Sequence, residues 1–455
     1  MTAGQEVPPY VKGCAPAPYR HMNDEPQTIH AGRKHGVPTV SRVCADQTLV
    51  ELVYDAAKGT TGLAVSRFGG LWNIEQEVRI ETGETLVPYS PKNNLITNQC
   101  VLLPSVPSEF FTKEELIADT QAFLYRYVDL SPLFAKIASY YILLTWVHDA
   151  FNEVPYLRLR GEYGTGKTRG LMAIGSLCYK AFFASGASTT SPIFHTLDAF
   201  GGTLMFDEAD LPYSDARADI VKILNNGTVQ GMPVLRTVVN RHKEFNPYAF
   251  KVFGPKIVAM RGSFDDRALE SRFFTEETGR RPLRTDIPIH LPNEMKAEAL
   301  ALRNRLLHFR FCNLFTIKAD PTVLMTGVEP RLNQTASSLL SLVDDIPLRE
   351  EMQRAFIEDY AVTLSERNET ADVGVLKAAQ AAFVAAEGAN VSVRDVSDRF
   401  NDEHSVEYGG PRTNRWIGHI LRTRLHLITR KSDGVYVIPV TEKLKIEALI
   451  ARMGV

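Results

Sequence analysis

The chain has 455 residues, of which 44% are hydrophobic and 23% are charged, and its formal net charge is −2. This composition is typical of a globular protein with two or three domains, and it excludes both a disordered chain and a uniformly basic nucleic-acid-binding protein. Any DNA binding must therefore come from a local basic patch. The five cysteines form no C-x-x-C pair, which indicates a reducing compartment, and the chain lacks the run of 18 apolar residues that would predict a membrane span. We therefore expect a cytoplasmic protein without membrane contact.

The first third of the chain is predicted to have three parts. Residues 1–45 are rich in proline, glycine, histidine and charge, which predicts a flexible arm. Residues 46–110 contain short β-like runs separated by glycines, which predict a small β-rich domain. Residues 111–151 are predicted to be a helical linker, whose second helix begins with Ser131 as the N-cap and Pro132 as the first helical residue.

The most specific pattern follows an alternating apolar and basic strand, 156–160. It fits G-x-x-x-x-G-K-[ST], the phosphate-binding loop of nucleoside triphosphatases, and residues 169–183 after it have the spacing of a helix. Glycines at these positions let backbone N–H groups approach phosphate oxygens at a helix N-terminus. We expect Lys167 to reach the β- and γ-phosphates of ATP and Thr168 to ligate Mg²⁺. The nucleotide-binding residues are predicted to be Gly161, Glu162, Tyr163, Gly164, Thr165, Gly166, Lys167 and Thr168.

A second apolar strand, within residues 201–210, ends in adjacent carboxylates about 40 residues after the lysine. Two acids at the end of a buried strand are costly unless a cation or water contacts them. We expect Asp207 to hold Mg²⁺ and Glu208 to polarise the attacking water as general base. Together with the phosphate loop, this strand predicts an ATPase core over residues 152–345 that includes a helical lid.

Basic residues recur later in this core. Two β-like runs, 233–239 and 249–253, are joined by a segment that carries Arg241, His242 and Lys243. The segment is predicted to be a hairpin tip, either a solvated turn or a DNA contact. After the next strand, 256–260, comes a segment rich in arginine and aspartate, and guanidinium groups are suited to stabilise a transferring phosphoryl group. Arg331 lies in the first turn of a helix over 329–343, where its charge opposes the helix dipole and predicts a nearby anion.

The remainder is predicted to be a helical connector, 346–372, and a winged-helix domain, 373–455. Its third helix, 412–425, is followed by two short strands, 427–430 and 435–439, on either side of a turn. In helix-turn-helix proteins this helix enters the major groove of DNA, although a winged helix can also serve protein contacts or autoregulation. The arginines that favour DNA contact are Arg412, Arg415, Arg422 and Arg424.

In this order of elements, residues 150–345 resemble AAA+ ATPases that carry a β-hairpin before sensor 1. They look like the minichromosome-maintenance helicases, and still more like replicative helicases of phages and chromosome-cassette mobile elements, including superfamily 3. The resemblance implies an α/β P-loop fold, a hexameric ring with ATP and Mg²⁺ between subunits, and single-stranded DNA in the central pore. It implies that Arg241, His242 and Lys243 grip the DNA backbone there. Duplex DNA would contact the winged helix.

The resemblance also implies residues around the nucleotide. Ala268-Leu-Glu-Ser-Arg-Phe273 is similar to the arginine-finger segment and places the finger on Arg272, with Arg267 as a second candidate. Arg331 matches the sensor 2 arginine, which contacts the γ-phosphate from the lid. The sensor 1 position, usually Asn or Thr, falls on Arg261. This departure leaves Ser263 and Asn246 as alternative sensor 1 residues.

Three functions are compatible with these patterns. The first is an ATP-dependent DNA helicase or translocase in the replication of a phage or mobile element, favoured by the basic hairpin. The second is an ATP-switched replication initiator or helicase loader, favoured by the winged helix. The third is a ring ATPase that remodels proteins or serves in phage defence, and it needs no stimulation by DNA.

Overall fold

The structure is a computed structural model that describes residues 36–68, 70–210, 215–239, 245–264, 266–368, 371–406, 410–432 and 434–453. Most of the predicted N-terminal arm lies outside these ranges. Within them, no helix has the length and apolar character needed to cross a membrane.

The N-terminal part is built from short strands and one helical turn. Its elements are β1 (Val37–Thr39), β2 (Ser41–Val43), β3 (Leu49–Asp55), β4 (Thr60–Phe68), β5 (Leu71–Glu75), β6 (Val78–Arg79), β7 (Thr85–Pro88) and α1 (Asn94–Thr97). Strands β2 to β5 form an antiparallel sheet in sequence order, and β7 pairs with both β1 and β6. The inner faces of β3 and β4 pack into the same apolar clusters as the rest of the core. This region therefore shares its hydrophobic core with the central sheet and its helices.

Two helices connect this region to the central sheet: α2 (Lys113–Tyr127) and α3 (Pro132–Val147). Helix α3 begins as predicted, because the Ser131 hydroxyl accepts the Phe134 N–H at 3.3 Å and Pro132 occupies its first turn. It is apolar on all sides, and such a helix is stable only when buried. Trp146 is fully buried near its end and donates its indole N–H to the Leu177 carbonyl at 2.9 Å. The helix therefore lies in the centre of the core.

The central sheet positions the candidate site. The strands of this region are β8 (Tyr156–Arg160), β9 (Phe182–Ser185), β10 (Leu204–Asp207), β11 (Val234–Val239), β12 (Phe245–Phe250), β13 (Lys256–Met260) and β14 (Phe273–Glu277). Strands β8, β9, β10, β13 and β14 pair in parallel in the order β14-β8-β13-β10-β9, while β11 and β12 form a separate antiparallel hairpin. Parallel strands have their carboxyl ends at the same edge, so the loops after β8, β10 and β13 meet there.

The helices of this region are α4 (Lys167–Gly175), α5 (Thr190–Phe200), α6 (Asp215–Asn226), α7 (Arg267–Glu270), α8 (Asn293–Asn313), α9 (Pro330–Leu340) and α10 (Ile346–Asn368). The prediction of a helix over 169–183 is wrong beyond Gly175, because Phe182 begins the strand that pairs with β10. A short buried apolar run fits either a helix or a strand, and here long-range pairing decides.

The C-terminal part has its own apolar core. Its elements are α11 (Ala371–Ala385), β15 (Val391–Ser392), α12 (Val393–His404), α13 (Asn414–Thr423), β16 (Arg430–Ser432), β17 (Val435–Ile438) and α14 (Lys443–Met453). The strands pair antiparallel in the order β15-β17-β16. The helices and the last two strands occur near their predicted positions, whereas β15 and α14 were not predicted.

A buried cluster of charges joins the N-terminal sheet to the region around the central sheet. The carboxylate of Glu51 on β3 lies 2.7 Å from the Lys180 ammonium and 2.8 Å from Nε of Arg310 on α8. Arg310 also contacts Asp149 at 2.6 Å, and the Tyr179 hydroxyl donates to Glu51 at 2.8 Å. Burial alone would raise the pKa of Glu51, but Lys180 and Arg310 outweigh it and hold that pKa below its usual range. Its contribution to stability is therefore present at neutral pH and is lost as the pH falls through the lowered pKa.

We expect Glu51→Gln to lower the free energy of unfolding by about 3–5 kcal/mol, because Lys180 then stays buried without a carboxylate and Arg310 keeps only its pair with Asp149. Urea unfolding at pH 7 measures the change. The matched control is Glu84→Gln, which removes an exposed ion pair with Arg42 and should cost about 0–1 kcal/mol. Equal effects of the two substitutions would contradict this role of Glu51.

Candidate functional site

The phosphate loop has the geometry that its glycines require. A Cβ on Gly161 would lie 2.3 Å from the Thr278 hydroxyl oxygen, so only glycine fits that close approach. Gly166 caps α4 with φ of 90°, in the left-handed region that favours glycine. Lys167 donates to the Gly161 and Glu162 carbonyls, both at 2.6 Å. Phosphate oxygens would replace these carbonyls as acceptors, since the ammonium lies over the loop that is expected to hold them.

The acids predicted from the second strand lie beside this loop. The Thr168 hydroxyl donates to the Asp207 carboxylate at 2.8 Å, which links the start of α4 to the end of β10. The next residue, Glu208, donates its N–H to the other Asp207 oxygen at 2.9 Å and adopts φ of 57°, a conformation rare for a residue with a side chain. The Glu208 side chain is exposed and lines the cleft. A hydroxyl beside a carboxylate is an all-oxygen donor set that fits Mg²⁺.

Arg261 reaches the same cleft from the end of β13. Its guanidinium lies 4.5 Å from the ring centre of Tyr163 on the phosphate loop. Of the two alternative sensor 1 residues, Ser263 accepts a hydrogen bond from Arg160 at 2.7 Å, and Asn246 lies on the hairpin opposite Val238. The structure therefore brings Arg261 into the cleft, whereas Ser263 and Asn246 are not among the residues that line it.

Asp210 was not predicted as a site residue. Its carboxylate accepts the backbone N–H of Arg261 at 2.6 Å and that of Gly262 at 3.0 Å, and it lies 3.5 Å from Nε of Arg261. It therefore fixes the backbone from which Arg261 projects. The sequence signal for Asp210 as a site residue was its position three residues after Asp207. Its partners are 51 and 52 residues away along the chain, and no local pattern indicates them.

These groups enclose one cleft of about 340 Å³ at the carboxyl edge of the sheet. Its lining residues are Tyr163, Gly164, Thr165, Gly166, Lys167, Thr168, Arg169, Asp207, Glu208, Asp210, Ala259, Met260 and Arg261. The cleft thus combines the backbone of a phosphate loop, cations for phosphate oxygens and carboxylates for a metal ion and a water. This is the set of groups that hydrolysis of a nucleoside triphosphate requires.

Arg272 lies away from this cleft. It directly precedes β14, and its carbonyl accepts the N–H of Tyr156, the first residue of β8. The phosphate loop begins after the other end of β8, at Arg160. That end is four residues, or about 13 Å, from Tyr156. The Arg272 guanidinium is buried and donates to the carbonyls of Leu224 and Asn225 at the end of α6. Its Nε has no hydrogen-bond partner among the described residues.

Arg331 is an exposed residue in the first turn of α9. Burial lowers the pKa of Arg272, and the charge of Arg331 lowers it further. The next residue, Leu332, lines a cleft that extends from Ser271 to Arg160, the last residue of β8. We refer to Arg272 and Arg331 together as the arginine edge.

The structure describes both strands of the hairpin, β11 and β12, but not the tip that joins them. Strands β11 and β12 pair from Val234↔Phe250 to Val239↔Phe245. Tyr248 donates its hydroxyl to Asp198 on α5 at 2.7 Å, and Arg236 lies 3.3 Å from Asp219 on α6. The predicted DNA-contacting residues lie outside the described part of the chain: Arg241, His242 and Lys243. The side chain of Arg267, the alternative arginine finger, is also outside it.

Comparison with known proteins gave distant structural similarity. No protein-family model and no curated protein matches the chain. The C-terminal region of NrS-1 is 11% identical with a TM-score of 0.37, over 86% of this chain and 96% of that one. The active helicase Cch of SCCmec type IV is 12% identical with a TM-score of 0.38, over 88% and 94%. The JCV helicase is 16% identical with a TM-score of 0.24, over 59% and 64%.

We expect Asp210→Asn to slow ATP hydrolysis by about tenfold, because Arg261 loses its fixed backbone and its ion pair. Nucleotide affinity should change less than about twofold, since the phosphate loop is untouched. Steady-state hydrolysis and equilibrium binding of a fluorescent ATP analogue measure the two quantities. The control Asp198→Asn removes a carboxylate that contacts the hairpin instead. A variant with normal hydrolysis would contradict the positioning role of Asp210.

Proposed function

We propose that this protein is an ATP-dependent DNA helicase or translocase that acts as a hexameric ring in the replication of a phage or mobile element. The observation that carries the proposal is the hydrogen bond between Thr168 and Asp207, with Glu208 beside it. It joins a phosphate loop to an acidic strand end, which is the arrangement for hydrolysis of a nucleoside triphosphate.

The residues of the cleft take distinct parts in hydrolysis. Backbone N–H groups of the loop and Lys167 bind the β- and γ-phosphates of ATP. Thr168 and Asp207 would hold Mg²⁺, which neutralises developing charge on the phosphate oxygens when bound. Glu208 orients the attacking water and takes its proton. Arg261, fixed by Asp210, stabilises charge on the γ-phosphate in place of a neutral sensor 1 side chain.

A ring explains the position of the arginine edge. Arg272 cannot serve the phosphate loop of its own chain, because the length of β8 separates it from that loop. In a ring each loop would face the arginine edge of a neighbour, which completes the site only after assembly.

Helix α6 connects the arginine edge to the hairpin. Arg272 bonds to carbonyls at its end, and Asp219 on the same helix contacts Arg236 on β11. If a neighbour's γ-phosphate draws Arg272 away, α6 loses these bonds and can shift the base of the hairpin. Arg241, His242 and Lys243 at the tip would then move single-stranded DNA through the pore.

The alternative function is an ATP-switched replication initiator or helicase loader. The basic C-terminal domain, which we propose to be a winged helix, favours it. Strand-separation activity discriminates the two, because an initiator or loader does not unwind DNA continuously. A protein-remodelling or phage-defence ATPase would share the cleft and would show hydrolysis indifferent to DNA.

The test compares ATP hydrolysis with and without single-stranded DNA in the wild type and in a variant with Arg241→Ala, His242→Ala and Lys243→Ala. We expect DNA to raise the wild-type rate several-fold and the ratio of the two rates to fall to about one in the variant. Glu208→Gln supplies the background rate. If ATP hydrolysis by the wild type does not respond to DNA, the helicase proposal is contradicted.

A further inference from the structure

Tyr163 and Arg261 meet across the cleft, from the phosphate loop and from the end of β13. The Arg261 guanidinium lies over the face of the Tyr163 ring, 4.5 Å from its centre, and both residues line the cleft. Tyr163 is 77% exposed, so burial in the core does not explain an aromatic residue at this position of the loop. The role of the ring therefore lies in its contact with Arg261.

Asp210 alone does not fix the end of the Arg261 side chain. Its carboxylate accepts the backbone N–H of Arg261 and lies 3.5 Å from Nε, which holds the backbone and one edge of the guanidinium. The two Nη atoms have no hydrogen bond to the residues that the structure describes, and the side chain is 43% exposed. Since a long side chain has many rotamers, a second contact is needed to hold the guanidinium in one place. The Tyr163 ring supplies that contact.

A ring suits this purpose because it leaves the hydrogen-bonding groups of Arg261 unused. A cation over a ring face is attracted by the negative charge of the π-system, and this attraction requires no N–H donor. A carboxylate in the same place would bind the N–H groups and would compete with phosphate oxygens for them. The arrangement therefore fixes the guanidinium and still leaves its Nη donors available to an anion.

We propose that Tyr163 is a positioning residue for ATP hydrolysis, whose ring holds the Arg261 guanidinium where it can donate to the γ-phosphate. The inference rests on the proposed function only in taking ATP as the substrate, and it requires neither DNA nor a second subunit. Donors that are fixed before the reaction stabilise developing charge without being reordered during the reaction. Loss of the ring should therefore slow the chemical step and leave the binding of ATP nearly unchanged.

Two other roles of Tyr163 predict different results. If the ring contacted the nucleotide directly, its loss would weaken binding, so KM for ATP would rise more than kcat falls. If the side chain only filled space on the loop, any apolar residue of similar size would replace it. Leucine keeps an apolar side chain but has no ring face, whereas phenylalanine keeps the ring face and removes only the hydroxyl group. The substitutions Tyr163→Leu and Tyr163→Phe therefore separate these roles.

The experiment measures kcat and KM for ATP hydrolysis by the full chain without DNA. The variants are Tyr163→Leu, Tyr163→Phe, Arg261→Met and the double variant that combines Tyr163→Leu with Arg261→Met. The control is Tyr125→Leu. Tyr125 is also exposed and lies under a guanidinium, that of Arg284 at 3.5 Å, but it does not line the cleft. The control thus removes the same kind of contact away from the site.

We expect Tyr163→Leu to lower kcat about fivefold and to leave KM within about twofold of the wild-type value. Tyr163→Phe should restore kcat to within about twofold of the wild type, because the ring face is kept. Tyr125→Leu should hydrolyse ATP like the wild type. In the Arg261→Met background, Tyr163→Leu should change kcat by less than about twofold, because the ring then has no cation to hold.

The proposal would be overturned by an unchanged kcat of Tyr163→Leu, by an equal loss in Tyr163→Phe, or by the full loss in the Arg261→Met background. A higher KM with unchanged kcat would also overturn it and would assign Tyr163 to nucleotide binding instead. If the wild type hydrolyses no ATP, the proposed function itself fails. Hydrolysis that does not respond to DNA contradicts the helicase but leaves this test intact.

Discussion

The parallel pairing of β8, β13 and β10 is the constraint on which the candidate site depends. Each strand ends at the same edge, so a phosphate loop, an acidic strand end and Arg261 meet although they are up to a hundred residues apart in sequence. The bond from Thr168 to Asp207 and the contacts of Asp210 with the backbone after β13 then fix the three loops relative to one another. These contacts hold the polar groups in place before any substrate arrives, which is the condition for electrostatic stabilisation of a transition state.

The core near this edge includes a buried cluster of charged side chains. Glu51, Lys180, Arg310 and Asp149 are costly to desolvate, and their mutual pairing offsets that cost only when all of them are in register. The cluster therefore fixes the N-terminal sheet on the region of the central sheet in one orientation. A β-rich segment that looks independent in sequence is in this way part of the same rigid body as α8 and the end of α3.

Local patterns predicted the parts of the protein whose cause is local. The phosphate loop, the strand that ends in Asp207 and the start of α3 at Ser131 all lie where glycine spacing, apolar runs and capping residues indicate. Contacts between distant segments were not predictable in the same way. The pairing of Phe182 with β10 and the role of Asp210 depend on partners that no periodicity reveals. The position of Arg272 likewise follows from the pairing of β14 with β8, which the sequence patterns did not give.

We propose that each ATP is hydrolysed between two subunits, by the phosphate loop of one and the arginine edge of the next. Mixing two inactive proteins tests it most directly: one carries Lys167→Ala, and the other carries Arg331→Ala, an exposed position whose substitution spares the core. In a ring of both, some interfaces combine an intact loop with an intact arginine edge. We expect an equimolar mixture to recover about a quarter of the wild-type hydrolysis rate, because about a quarter of the interfaces then combine two intact halves. A mixture as inactive as its two components, although both assemble, would contradict it.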